Sequence, residues 1–227
     1  MKRHRVLSTK ILSETQRERL IQANISLIQA NFIETKSLSF SIPTNCENWI
    51  FTSQNAVEAV FSLLKKEQCV GKKVFCVGEK TKSLLIKNEQ KVVKMSRNSL
   101  ELGHFIAKNY KNETILFFCG NLKQEDLPHV LLEHQIPLTE VVVYQTDLIP
   151  KKMETPVDGV LFFSPSGVES FTRLNQLGKS KGICIGETTA QALKPYTSNI
   201  SVATSPTIEN VLLKTIQHFG TYEYVKK

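Results

Sequence analysis

Short apolar runs alternate with amphipathic stretches along almost the whole of this chain, and the alternation predicts its elements. Val6-Leu7 begins a short strand, and Ser13 to Ile28 reads as a charged, periodic helix capped by Ser13, with Glu14 placed to complement the helix dipole. Residues 32–42 read as an extended connection. Strands are then expected at 49–52, 73–77, 91–94 and 114–118, each followed by a helix, over 55–66, 79–87, 98–109 and 126–134. Ile136 to Leu148 is another extended run, with Pro150 and Pro156 beyond it. A last series comprises strands at 159–163, 182–185 and 200–203 and helices over 166–176, 187–194 and 207–218. Strands alternating with helices call for parallel sheets.

Part of this grammar occurs twice, roughly 110 residues apart. Residues 50–58 (IFTSQNAVE), 74–81 (VFCVGEKT) and 92–96 (VVKMS) are echoed by 161–169 (LFFSPSGVE), 183–189 (ICIGETT) and 201–205 (SVATS). Ser53 thereby corresponds to Ser164, Glu58 to Glu169, Gly78 to Gly186 and Ser96 to Ser205. Each motif is an apolar run that closes on small or hydroxylic residues and opens a helix, as in a βα unit whose strand ends face a ligand. Two such halves imply two similar lobes with a cleft between them.

The strand count is uneven, because the second series holds three strands and the N-terminal βα unit stands alone. The economical solution places Val6 to Ile28 in the sheet of residues 157–219, so that the first lobe becomes an insertion. Lobe A then comprises 1–34 and 150–227, and lobe B comprises 35–149, with two extended crossings near 32–42 and 137–148 joining them.

Composition narrows the function. At 41% apolar and 22% charged residues the chain has an ordinary globular mix, and no apolar run approaches the roughly 18 to 20 residues of a membrane span. The basic N-terminal residues lead into no signal-peptide core, so a cytoplasmic protein is expected. Five cysteines with no CxxC pair fit reduced thiols, and Cys76 and Cys184 occupy equivalent core positions of the repeat. His129 and His134 miss the one-face helical spacing of a metal pair, and no metal site is expected. The net charge of +8 suits an anionic partner, but the lysines are dispersed and there is no arginine-rich arm or aromatic-basic motif. Nucleic acid is therefore not the expected partner.

The repeated turns carry the candidate chemistry. Asn55-x-x-Glu58 and Ser166-x-x-Glu169 read as capping boxes, and Ser205-Pro206 as a cap before a first-turn proline. Taken singly these are good helix starts; taken together, helix N-termini near 53–55, 78–81, 164–167, 186–189 and 205–207 would favour carboxylates or phosphates. GxGxxG, Walker, GxSxG and zinc-helix motifs are all missing, so catalysis would rest on hydroxyls, amides and positioning. Tyr144 and Thr146 share one face of the extended run 141–146 (VVVYQT). A buried tyrosine often only packs, yet a phenol with an ordinary pKa of about 10 can donate a hydrogen bond to a leaving oxygen.

The series Phe51-Thr-Ser-x-x-Ala-Val57, Val77-Gly78, Val143-Tyr-x-Thr146, Phe163-Ser-Pro-Ser-Gly-Val168, Ile185-Gly-x-Thr-Thr189 and Ser205-Pro-Thr207, in this order over nearly the whole chain, resembles the uroporphyrinogen-III synthase family. The resemblance implies two flavodoxin/Rossmann-like α/β lobes joined by a two-stranded β connection, and a cytoplasmic monomer using neither cofactor nor metal. It implies a linear tetrapyrrole substrate, hydroxymethylbilane, with eight carboxylates. That substrate loses its terminal hydroxyl as water, inverts ring D through a spiro intermediate and closes to uroporphyrinogen III, a step in heme biosynthesis.

On this resemblance Tyr144 matches the residue that assists departure of the hydroxyl. Thr9, Lys10, Thr52, Ser53, Gly78, Ser96, Thr146, Ser164, Ser166, Gly167, Thr188, Thr189 and Ser205 would hold the substrate. Three positions depart from the family pattern: Thr9-Lys10 stands for Thr-Arg, Cys119-Gly120 for Arg-Gly, and Gly186-Glu-Thr-Thr189 for Gly-Pro-Thr-Thr. The first two remove guanidinium forks that could grip carboxylates. The alternatives are a non-catalytic two-lobed binder of an anionic small molecule, and a basic nucleic-acid module whose binding would fall steeply with salt.

Overall fold

The computed structural model describes residues 3–43, 46–64 and 66–221. In chain order the elements begin with β1 (Arg5–Ser8), α1 (Glu14–Gln22), β2 (Ser26–Gln29), β3 (Ile33–Ser37), β4 (Asn48–Phe51), α2 (Gln54–Leu63) and α3 (Lys66–Cys69). They continue with β5 (Lys73–Val77), α4 (Glu79–Lys87), β6 (Val92–Ser96), α5 (Ser99–Asn109), β7 (Ile115–Gly120), α6 (Asp126–Glu133) and β8 (Leu138–Leu148). The last are β9 (Gly159–Phe162), α7 (Pro165–Thr172), β10 (Lys181–Cys184), α8 (Glu187–Leu193), β11 (Ile200–Val202) and α9 (Ile208–Phe219). The helix expected to reach 66 stops at Leu63, and Lys65 lies outside the described residues.

Met1–Glu34 with Asp147–Lys227 form one compact unit, and Thr35–Thr146 the other. The chain passes from the first to the second within β3 and returns within β8. The first unit carries a five-stranded sheet in the order β11-β10-β9-β1-β2, with every pairing parallel. Val6 to Ser8 pair with Gly159 to Leu161, so the N-terminal strand joins the C-terminal series as the strand count required. The second unit holds six strands in the order β3-β8-β7-β4-β5-β6, in which β8 with β7, β7 with β4, β4 with β5 and β5 with β6 pair in parallel.

The expected helix from Ser13 to Ile28 is corrected. α1 has the expected Ser13 cap, here a full capping box with Gln16, but it ends at Gln22. Asn24 turns into the left-handed region (φ 59°), the Ile25 N–H bonds back to the Leu20 carbonyl, and Ser26 to Gln29 become the edge strand β2. This is a Schellman closure with asparagine in place of the commoner glycine, a weaker signal in sequence. α4 and α6 end in the same way, at Glu89 and Gln135.

Both sheets are covered on two faces, which explains unbroken apolar runs such as β4 and β7 where every residue is buried. In the second unit Trp49, Phe51 and Phe118 pack beneath α2 and α4, Phe118 stacking on Phe51 at 5.0 Å and meeting Trp49 edge-on at 5.1 Å. Ile50, Phe75 and Phe117 face α5 and α6 on the other side. In the first unit Val6, Leu161 and Ile183 pack with α1 and α9, while Leu7, Val160 and Phe162 pack with α7 and α8.

Three expected caps move. Ser53, not Asn55, caps α2 by accepting the Ala56 N–H, and Ser164, not Ser166, caps α7 by accepting the Gly167 N–H. Both caps therefore lie two residues early and form no capping box, and Glu169 instead pairs with Arg173 one turn along. α9 is capped by Thr207 rather than Ser205. In each case the hydroxyl nearest the strand end, or nearest the helix after a proline, sits in extended backbone where a cap must sit.

Candidate active site

Every expected site residue outside β8 falls at the carboxyl end of a parallel strand, in the turn after it or in the first turn of the next helix, where open α/β sheets place ligands. In the second unit Thr52 and Ser53 follow β4, Gly78 follows β5, and Ser96 closes β6. Gly78 has φ +85°, a conformation that disfavours a side chain, and its N–H donates to the Ser96 carbonyl at 3.0 Å. α4 has no side-chain cap, so its first-turn amides stay uncommitted to a hydroxyl. Beside them the Ser96 hydroxyl is buried without a hydrogen-bond partner among the described residues.

Tyr144 meets Ser53. The Ser53 hydroxyl takes the Ala56 N–H at 3.1 Å and donates its own proton to the Tyr144 phenol oxygen at 3.1 Å. Burial pushes the phenol pKa up, partly offset by this hydrogen bond, so the phenol keeps its proton at neutral pH. Thr146 is held by its backbone: the Asn121 side chain accepts the Thr146 N–H at 2.7 Å and donates to its carbonyl at 3.2 Å.

In the first unit Thr9 and Lys10 follow β1, and Ser164, Ser166 and Gly167 follow β9. Thr9 is buried and its hydroxyl donates to the Leu161 carbonyl at 2.7 Å, which ties two strand ends together and leaves that hydroxyl committed. Lys10 is exposed. Ser164 caps α7 and lies 3.0 Å from the Ser166 hydroxyl, and a Cβ on Gly167 would come within 3.6 Å of the Thr9 hydroxyl. Thr9, Ser164, Ser166 and Gly167 are thus one cluster.

Thr188 and Thr189 lie in the first turn of α8, the former exposed and the latter buried, and Ser205 lies exposed before α9. The repeat keeps its chemistry: α2 and α7 start at serine caps, whereas α4 and α8 start at glycines with no side-chain cap.

The cysteines offer no nucleophile here. All five are buried, and burial raises Cys119 to about 11 and Cys76 and Cys184 to about 12. Among the described residues no group of three or more His, Cys, Asp or Glu is arranged to hold a metal ion. A cavity of about 670 Å³ opens at the opposite, amino-terminal strand ends of the first unit, between Lys152, Asp158, Leu174, Lys181 and Phe219. None of the expected site residues lines it, and the strand-end chemistry lies elsewhere.

Sequence reading missed Gly120 and Asn121 as site components. The pairing of β7 with β8 slips between Cys119, opposite Val142, and Gly120, opposite Tyr144. The glycine closing an apolar strand was the available signal, since such a residue often marks a bulge or a close approach.

The sequence model described as uroporphyrinogen-III synthase HemD matches residues 16–212. Among solved structures, the chain is similar to uroporphyrinogen-III synthetase from Helicobacter pylori, at 20% identity and TM-score 0.69, covering 95% of this chain and 99% of that one. It is also similar to a mutant uroporphyrinogen III synthase from the extremely thermophilic bacterium Thermus thermophilus, at 12% identity and TM-score 0.67, covering 95% and 98%. At these identities the structural likeness carries the fold, and the sequence match carries the family.

Proposed function

The chain belongs to the uroporphyrinogen-III synthase family, and from that premise we propose how its own residues perform the family's reaction. The substrate is hydroxymethylbilane, and the enzyme dehydrates it, inverts ring D and closes the macrocycle to uroporphyrinogen III. The observation that carries the reading is the family match over residues 16–212, which spans the strand ends bearing nearly all the residues described above.

Loss of the terminal hydroxyl comes first. Pyrrole nitrogen stabilises the cation left behind, so modest acid assistance is enough. Tyr144 supplies it: its oxygen already receives the Ser53 proton, and its own O–H is left to donate to the departing hydroxyl, which leaves as water. The proton lent at this step returns when the attacked pyrrole regains aromaticity at closure.

Geometry is the harder requirement, because the free bilane closes without inverting ring D. Holding carboxylates at fixed points restricts which pyrrole carbon meets the cation, a form of orientation catalysis. The amides at the start of α4, beside the unpartnered Ser96 hydroxyl and next to Gly78, form one such point in the second unit. Thr52 adds a hydroxyl there, and Thr146 another along β8. In the first unit Ser166, Gly167, Thr188, Thr189, Ser205 and the Lys10 ammonium contribute the rest, with Thr9 and Ser164 ordering the turns that present them.

No helix among the described residues is long and apolar enough to cross a membrane. The proposal adds a monomer working in the cytoplasm without a nucleic-acid partner, motivated by the dispersed lysines and the small-molecule substrate. Conversion of hydroxymethylbilane, read as the isomer composition of the product, tests the reading.

A further inference from the structure

We propose that Gly120 is a positioning residue for Tyr144, the missing side chain at 120 and the bulge beside it setting where the phenol proton is delivered. This rests on the reading of Tyr144 as the donor to the departing hydroxyl. In a regular ladder Gly120 would face Val143, but the register slip sets it opposite Tyr144 and leaves Val143 as the extra residue. Bulges of this kind re-aim a side chain. The Tyr144 ring then lies directly over the Gly120 backbone: a Cβ at 120 would sit 2.4 Å from Cζ, 2.5 Å from Cε2 and 2.8 Å from the phenol oxygen. Ordinary carbon contact is about 3.5 Å, so any side chain at 120 moves the ring by about 1 Å.

Two further contacts fix the same group. The Ser53 hydroxyl, itself pinned by the Ala56 N–H, meets the phenol oxygen at 3.1 Å. The Asn121 N–H donates to the Tyr144 carbonyl at 3.3 Å while its side chain grips Thr146. Ring, oxygen and backbone are each located by a different neighbour. A proton donor works within about 2.6–3.2 Å of its target, so a shift of about 1 Å takes the phenol out of reach.

The test is a cycle of Gly120→Ala and Tyr144→Phe, with Ser53→Ala and Ser53→Thr beside it. Gly120→Ala is expected to lower kcat about tenfold to a hundredfold with KM nearly unchanged. The same change in the Tyr144→Phe background, where no phenol remains to misplace, is expected to cost less than about threefold. Ser53→Ala should lower kcat in the same direction and Ser53→Thr should restore it, which keeps the test alive if Gly120→Ala does not fold. The 13Cζ NMR signal of Tyr144, assigned by its absence in Tyr144→Phe, should move in Gly120→Ala and in Ser53→Ala. Wild-type kcat in folded Gly120→Ala, equal losses in both backgrounds, or an unmoved Tyr144 signal would overturn the proposal. If the unmodified protein gives only the uninverted isomer, at the rate seen without protein, the functional reading fails instead, and the NMR signal still decides whether Gly120 places the ring.

Discussion

The hydroxyl of Ser53 and the phenol of Tyr144 are joined by a 3.1 Å hydrogen bond across 91 residues of chain. One end caps α2 after β4, and the other sits on β8, two strands away in the sheet. Ser53 gives its single proton to the Tyr144 oxygen while its own oxygen accepts the Ala56 N–H. The phenol is left as a donor looking for an acceptor. The serine that the sequence offers for substrate contact is bonded to the tyrosine.

Replacing Tyr144 with phenylalanine removes that donor while keeping the ring over Gly120. Folding is expected to survive, and the urea midpoint to shift only slightly, since the lost bond to Ser53 contributes on the order of 1 kcal/mol. The turnover should fall toward the low end of the hundredfold or more that a positioned acid contributes, because this leaving group departs readily. The isomer ratio should change less than the rate, as the orienting amides remain. Full activity in the variant would leave Tyr144 as a packing residue.

Alkaline stability follows from the buried thiols. Burial raises Cys119 to about 11 and Cys76 and Cys184 to about 12, against an ordinary 9.0 in the unfolded chain. The sign is that of acids which keep their protons when folded. Above pH 9 the unfolded chain gives up protons that the native one retains, so stability is complete below 9 and is lost as pH rises toward 12. Tyr144, also raised by burial, adds to the same trend above its ordinary 10.0. The urea midpoint should decline from pH 9 to 11, and the decline should be shallower in a variant carrying Cys76→Ala and Cys184→Ala. An identical slope in the two proteins would contradict the assignment.

The closure of α6 gives a prediction of opposite sign. Gln135 adopts φ 55° while the Ile136 N–H bonds to the Leu131 carbonyl. A left-handed residue with a side chain costs roughly 1–2 kcal/mol, part of which glycine returns through its greater unfolded entropy. Gln135→Gly should therefore stabilise the protein by about 0.5–1 kcal/mol in urea denaturation. A loss of stability would show that the Gln135 side chain contributes something the backbone geometry does not.

How much of this was legible in the sequence depended on what each feature obeys. Strands such as β4, β5 and β9 declared themselves, because sheets covered on two faces need unbroken apolar runs. The pairing of β1 with β9 followed from counting strands. β2 did not, since Asn24 ends α1 without glycine and the charged periodicity runs straight through the turn. The turns that hold the candidate residues were visible in the repeat. Their division of labour was not: that Thr9 spends its hydroxyl on Leu161, that Ser53 reaches Tyr144, and that Gly120 clears room for a ring all depend on neighbouring strands. The one-residue slip between β7 and β8 had only Gly120 at the end of an apolar strand as its signal, and a glycine there does not say which neighbouring residue it makes room for.

A protein of the proposed function directs ring closure with inversion of ring D. Freshly prepared hydroxymethylbilane should be incubated with the purified protein, the products oxidised, and the porphyrin isomers separated and quantified against a protein-free control. Uroporphyrin III is expected as the dominant isomer with protein and uroporphyrin I without it. The type I isomer in both samples, formed at the same rate, would contradict it.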